Sequence, residues 1–480
     1  MNINTKRNAK KIDFSFDAML KTGFLRRLSI TLGLLIFYRF CVHIPLPDIN
    51  HEIFRQHSNM LTTGILGMVD LFAGGALSAL SIFALGIGPF ITSSIMMQLL
   101  AEVFPSIKAL NREHGEEGRK KYQQYSRYLS VFLAALQGFA LAKYLSYAHA
   151  EILNKTGQSL LFDSSILFIF KIVLILTVGS LFIMWLGELI SEFGIGNGAS
   201  LLIFAGIAAR LPQLIIKTYE TFKVGSIPVW GILLVLATFC LVIFAIIAIQ
   251  EGSRKLLIVG AKNYSVNLNQ AHYLPLKINP AGVLPIIFAS MTMFVPIQIL
   301  NFLGQQNVNI STGTYNLFKA NKFLGGILDS IYSIDIFKKA LIGFGSFIDR
   351  TFLVYSSWEH SLFYFALILM FAFFYASILL PSNEIAENLQ KGGSSIQGIK
   401  PGKPTAEYLE WLLNRLTFIG GTTIALITIL PLHIEKLGQV NTLGGLGSTS
   451  LIIMVGVAID LYNQTNSYLQ AHQYKKRSLF

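Results

Sequence analysis

Residues 229–249 read VWGILLVLATFCLVIFAIIAI, an unbroken apolar run without a single charge. As a helix it would reach about 31 Å, close to the thickness of a bilayer's hydrocarbon core. A helix apolar on every side belongs in a membrane or at the centre of a much larger protein. The composition decides between these. Of 480 residues, 53% are hydrophobic and 13% charged, with a mean hydropathy of +0.57, whereas soluble proteins carry about 25% charged residues. Outward from 229–249, similar runs recur at 24–42, 77–100, 125–145, 165–186, 199–216, 281–303, 362–380, 416–431 and 448–461. The reading is an all-α polytopic membrane protein with ten transmembrane helices. Cys41 and Cys240 lie inside apolar runs, where a free thiol acts as a small hydrophobe, so neither a disulfide framework nor a metal site is implied.

Threading the spans predicts an N-terminal arm (1–23) and a first half (24–216) containing a semi-apolar segment at 62–75. A connection (217–228) leads to a second half (229–467) and a tail (468–480). Within the second half, loops 251–280 and 381–415 fall on the same side as the arm and tail, and an insertion (304–361) falls on the far side. That first side, which also takes in the 108–121 loop and the 188–198 turn, carries about 22 Lys and Arg against about 14 Asp and Glu, near +8, and the far side is near +1. Basic residues favour the cytosolic side, so both termini are expected there. The arm, with Lys6, Arg7, Lys10, Lys11, Asp13 and Asp17, lacks the features of a cleaved signal or transit peptide. Five spans in each half make the halves cross the bilayer in opposite directions, as in an inverted repeat with its pathway at the interface between repeats. Residues 323–355 carry Asp329, Asp335, Lys338, Lys339, Asp349 and Arg350, too polar to cross lipid cheaply, and are read as an amphipathic interfacial hairpin.

A search for chemistry returns little. No H-E-x-x-H zinc helix occurs, and the histidines are scattered. Glu188 and Glu192 share a helix face but read as solvated carboxylates at an interface. The turn Gly194-Ile195-Gly196-Asn197-Gly198 lacks the Lys-Ser/Thr pair of a phosphate-binding loop. The charges assigned to spans are Arg39, Arg127, Lys171 and Arg415, and the span centres look nearly free of charge, which disfavours an ion-coupled carrier. The segment 62–75 ends in the pair Gly74-Gly75, a possible hinge, and by its residues alone reads as an ordinary interfacial half-helix. Ile87 and Ile91 follow at i, i+4 on one helix face.

Phe72-Ala73-Gly74-Gly75-Ala76-Leu77-Ser78, with Ser81-Ile82-Phe83-Ala84-Leu85-Gly86-Ile87-Gly88-Pro89, resembles the SecY protein-translocation channel family. Gly194–Gly198 with Ile203-Phe204-Ala205-Gly206-Ile207, Leu274–Asn279 with Ala281-Gly282-Val283, and Ala386–Leu389 through Gly398–Gly402 agree in order. The resemblance implies ten helices in two inverted five-helix halves around a central pore, conducting unfolded polypeptides and releasing apolar helices sideways into lipid. It implies a pore ring of Ile87, Ile91, Ile203, Ile287 and Ile453, which would seal by dewetting without gripping a passing chain. It implies a plug including Ile65, Leu66, Met68, Val69, Leu71 and Phe72, hinged at Gly74 and Gly75, and a lateral gate where spans 2 and 3 face spans 7 and 8. No catalytic residue, metal or cofactor is implied. A small-solute secondary transporter is the alternative reading.

The resemblance also implies partners: SecE-type and SecG-type small membrane subunits, a SecA-type motor ATPase, the ribosome, signal peptides with unfolded preproteins, and membrane lipids. Arg254, Lys255, Lys262, Lys400 and Lys403 on the two cytosolic loops are the expected docking residues. The family commonly has Arg where this chain has Lys400, which keeps the charge and loses the bidentate fork. Asn388-Leu389-Gln390-Lys391 and Asn414-Arg415-Leu416-Thr417-Phe418 look most like cyanobacterial and plastid members. They favour a plastid thylakoid membrane over a bacterial plasma membrane, with both termini on the stromal or cytosolic side.

Overall fold

The computed structural model describes residues 23–54, 56, 70, 73–112, 115–162, 166–225, 228–260, 272–302, 351, 357–437 and 447–477. Among these, every expected span is represented by a helix. The helices are α1 (Phe24–Cys41), α2 (Gly88–Val103), a short α3 (Pro105–Arg112), α4 (Gly115–Thr156), α5 (Ile166–Phe193), α6 (Gly198–Lys223), α7 (Val229–Glu251), α8 (Leu284–Phe302), α9 (Trp358–Leu379), a short α10 (Ser382–Lys391), α11 (Lys403–Leu437) and α12 (Gly447–Arg477). Six of the described helices are long and apolar enough to cross a membrane by length and composition. In α7, Gly231, Val235, Thr238, Val242, Ile246 and Gln250 form the buried stripe, at the 3- and 4-residue spacing of one helix face. Leu233, Leu236, Leu241 and Phe244 on its other faces are exposed, where only lipid makes large aliphatic and aromatic surface inexpensive.

The two halves pack alike. In the first half α4 lies against α2 and α5, α5 against α6, and α1 against α5 and α6. The second repeats this order with α9 against α8 and α11, α11 against α12, and α7 against α11 and α12. With five spans in each half, that repetition places the halves in opposite orientations. Between the halves, α6 meets α12 along one seam, and α8 meets α2 and α4 along the other.

The tight turn between α5 and α6 shows how the sequence controls close approach. A Cβ at Gly198 would lie 1.9 Å from the Gly187 carbonyl oxygen, so any side chain there would push the two helices apart. Asn197 caps α6, its Oδ1 accepting from the backbone N–H groups of Ala199 at 3.0 Å and Ser200 at 3.3 Å. The glycine-rich turn is thus a packing device.

Several expected boundaries move. The second span was expected to be continuous over 77–100, yet α2 begins only at Gly88, with Pro89 in its first turn. Residues 73–87 form a run of turns. Glycines at positive φ and helix-competing serines break the helix there. Protein satisfies its backbone: Leu46 N–H donates to Leu80 O at 2.8 Å and Ile82 N–H to Ile44 O at 3.2 Å. Helix α6 continues to Lys223, through part of the expected connection, and α12 to Arg477, through most of the expected tail. The insertion reading at 323–355 falls outside the described residues except for Thr351.

The loops 251–280 and 381–415 are not independent. Strands β1 (Ser253–Gly260), β2 (His272–Lys277) and β3 (Ser394–Ile396) form one antiparallel sheet in the order β2-β1-β3. Leu256, Leu276 and Ile396 bury one face of it against Leu409, Leu412, Leu413 and Leu416 of α11. A small extramembrane β-sheet therefore accompanies the helical bundle and couples two loops that the sequence separates.

Candidate functional site

The five isoleucines come from α2 or its N-cap (Ile87, Ile91), α6 (Ile203), α8 (Ile287) and α12 (Ile453), and so from both halves. All are buried, at 2%, 8%, 2%, 4% and 0% exposure respectively, and all belong to one continuous apolar cluster. A membrane protein has no need to hide aliphatic residues from lipid, so this burial at the interface between halves reflects packing of helix on helix. On the side of the sheet, a cavity of about 250 Å³ opens against Ile287. Its lining includes Asn197, Ser200, Gln250, Lys277, Asn279, Asp460 and Gln464. A cavity lined by both polar and apolar residues thus ends at the apolar cluster.

On the opposite side of the apolar cluster lies a charged cluster. Asp70 is fully buried and its Oδ2 accepts from Arg210 Nη2 of α6, while its Oδ1 accepts from the Ser78 backbone N–H at 2.9 Å. Arg210 also donates to Ser78 Oγ at 3.4 Å. From α1, Arg39 Nη1 donates to the Gly74 carbonyl at 2.7 Å and Tyr38 O–H to the Ala73 carbonyl at 3.3 Å. Gly74 has φ 67°, and a Cβ on it would sit 2.8 Å from Gly206 Cα of α6, so only glycine fits. The sequence reading passed over Arg210, although it lies inside the apolar run 199–216, and it gave Asp70 no role. The signal that finds both is an ionisable residue within an apolar stretch.

Along the seam where α8 meets α2 and α4, Tyr375 O–H of α9 donates to Gln98 Oε1 of α2 at 2.7 Å, a polar link between the halves. Glu188 is not simply solvated. Arg127 of α4 donates to it twice, Nε to Oε1 and Nη2 to Oε2, both at 2.9 Å, a bidentate pair joining α4 to α5. Glu192 is exposed.

Of the expected docking residues, Arg254 and Lys255 stand on β1, Lys403 opens α11 and Lys400 lies between β3 and α11. All four are exposed, and the described residues offer none of them an ion pair. Lys262 falls outside the described residues, as do Ile65, Leu66, Met68, Val69, Leu71 and Phe72. The hinge pair is described, with Gly75 at φ 89° beside Gly74. No group of three or more His, Cys, Asp or Glu side chains placed to hold a metal occurs among the described residues.

A SecY family profile matches residues 81–462. The protein translocase subunit SecY of Synechocystis is 39% identical over 457 residues, spanning 94% of this chain and 94% of that protein. The SecY of Porphyra purpurea is 36% identical over 457 residues, spanning 95% and 98%. A solved SecY channel, described as one whose plug domain stabilises its closed state and maintains a membrane seal, superposes with a TM-score of 0.59. It is 17% identical and covers 93% of this chain and 92% of that one, which supports the ten-helix fold. Two halves packed alike, a buried apolar cluster at their interface and a near full-length match therefore agree: the chain belongs to the SecY family of protein-translocase channel subunits.

Proposed function

We propose that unfolded polypeptide crosses between the halves of this chain, through a constriction formed by Ile87, Ile91, Ile203, Ile287 and Ile453. The observation that carries this reading is the burial of these residues in one cluster, between a cavity of mixed polar and apolar lining on the sheet side and a charged cluster on the other. Branched aliphatic side chains form no hydrogen bonds with a moving chain, and a narrow apolar ring expels water when empty. Apolar signal helices leave through the seam of α2 and α4 against α8 and α9, where they gain lipid while their flanking charges stay at the interface. The Tyr375–Gln98 hydrogen bond crosses that seam, and a single hydrogen bond is a modest obstacle.

On this reading the chain hydrolyses nothing. Energy comes from a bound ribosome, a SecA-type motor or the membrane potential, and SecE-type and SecG-type subunits clamp the halves. β1 and β3 share one sheet, so the two loops that carry Arg254, Lys255, Lys400 and Lys403 lie together, and on this reading these exposed basic residues meet ribosomal RNA or an acidic protein surface. Similarity to the Synechocystis and Porphyra chains supports a plastid or cyanobacterial setting, with the sheet on the stromal or cytosolic face. Photo-crosslinking tests the reading: a probe on a nascent signal peptide should reach α2 and α8. A signal peptide that crosslinks to neither, alongside saturable uptake of a small solute, would point to a transporter instead.

A further inference from the structure

We propose that Asp70, Arg210 and Arg39 are positioning residues that hold the constriction shut by stapling the turn run 73–87 to α6 and α1. This inference rests on the channel reading. The chain of contacts is continuous. Arg210 and Arg39 fasten the start of the run at Asp70 and at the Gly74 carbonyl. Ala73, beside that carbonyl, packs against Gly86, where a Cβ would lie 2.8 Å from Ala73 Cα. Gly86 is the residue before Ile87, the first member of the ring, and its carbonyl accepts from Ser180 Oγ of α5 at 3.3 Å. On α6, Arg210 follows Ile203 by seven residues, two turns or about 10 Å along the same face. The staple and the ring thus share both a helix and a loop. A charge pair at the base of the run fixes where Ile87 meets Ile203.

The chemistry suits a releasable hold. A fully buried carboxylate requires its guanidinium partner, because losing either member strands a charge away from water. Two cations and one anion also leave the cluster with one formal positive charge, so opening the run to water on the far side lets Arg39 and Arg210 hydrate. The contacts that position the ring when empty are therefore ones water can replace when a polypeptide displaces the run.

The test uses the full-length chain reconstituted with its partner subunits in proteoliposomes, read by ion leak without substrate and by transport of a preprotein with a weakened signal. Asp70→Asn and Arg210→Gln should raise the resting leak by about tenfold or more and let the weakened signal pass. Arg210→Lys, which keeps the charge but not the fork that reaches both Asp70 and Ser78, should leak clearly less than Arg210→Gln. A merely structural role would lower the yield of complex without separating Lys from Gln in leak. A complex arrested with a preprotein in transit serves as the control. If it conducts while Asp70→Asn and Arg210→Gln remain as tight as the parent, the staple is refuted and the channel survives. If it does not conduct, the channel reading falls and the staple with it. Should those two variants fail to accumulate, Arg39→Gln, which keeps the Asp70–Arg210 pair and removes only the bond to the Gly74 carbonyl, reads the same attachment. A leak then supports the staple, and a tight complex overturns it.

Discussion

On the proposed reading, two regions on the same face of α6 close the passage by opposite means. Around Ile203, the ring buries five isoleucines in an apolar cluster, where attraction is non-directional and volume matters more than any single partner. Two turns on, around Arg210, Asp70 has two specific partners, and each bond has a required geometry. The ring tolerates a changing shape and suits a surface past which any sequence must move. The charged cluster has one correct arrangement and suits a hold with a defined closed state. On the proposed reading sealing and latching are separated along one helix, so the ring can be altered without touching the latch, whereas breaking the latch also releases the ring.

The largest effect is expected from the charged cluster. Asp70→Asn removes the charge opposing Arg210 in a buried site, and losing one partner of such a pair costs about 3–5 kcal/mol, visible as resting leak and a lower melting temperature of the complex. The double variant Ile91→Asn with Ile287→Asn comes next. It hydrates the ring without touching the staple, so leak and passage of weak signals should rise about tenfold while melting shifts less. Equal leak from the parent and this double variant would remove the ring from the comparison. Tyr375→Phe is third, because it deletes one hydrogen bond across the α2–α9 seam, worth about 1 kcal/mol. Crosslinking of signal peptides to α2 should increase modestly, with the resting leak unchanged. Lys400→Glu should have no effect on closure, since the residue is exposed and far along the sheet side, yet motor-driven transport should slow with the complex intact. Normal transport rates in that variant would dismiss the basic residues of the two loops as a docking surface.

The ten apolar runs were legible because lipid imposes a length and a composition on any helix that crosses it. The glycine turn at 194–198 was legible as a motif, but its role was not, since the oxygen of Gly187 that excludes a side chain belongs to another helix. The start of α2 was misplaced because hydropathy counts apolar residues and is blind to the turns that bury residues 73–87 as irregular chain. The ring residues came from the resemblance to the SecY family; periodicity alone placed Ile87 and Ile91 on one face and could not connect them to Ile203, Ile287 or Ile453. The sheet was missed because β1 and β3 come from loops more than a hundred residues apart, and strand pairing is not a local property.

By itself, the sequence determined that the chain lies in a membrane, that it crosses ten times in two halves of opposite orientation, and that its sheet side is basic. These follow from hydropathy, parity and charge, which are sums over local residues. The tertiary structure alone decided which residues oppose one another at the interface between halves, that two loops make one sheet, and that Asp70 meets Arg210 across 140 positions of chain. Pairing at that distance depends on how the helices pack, and no local pattern encodes which buried charge will find which partner.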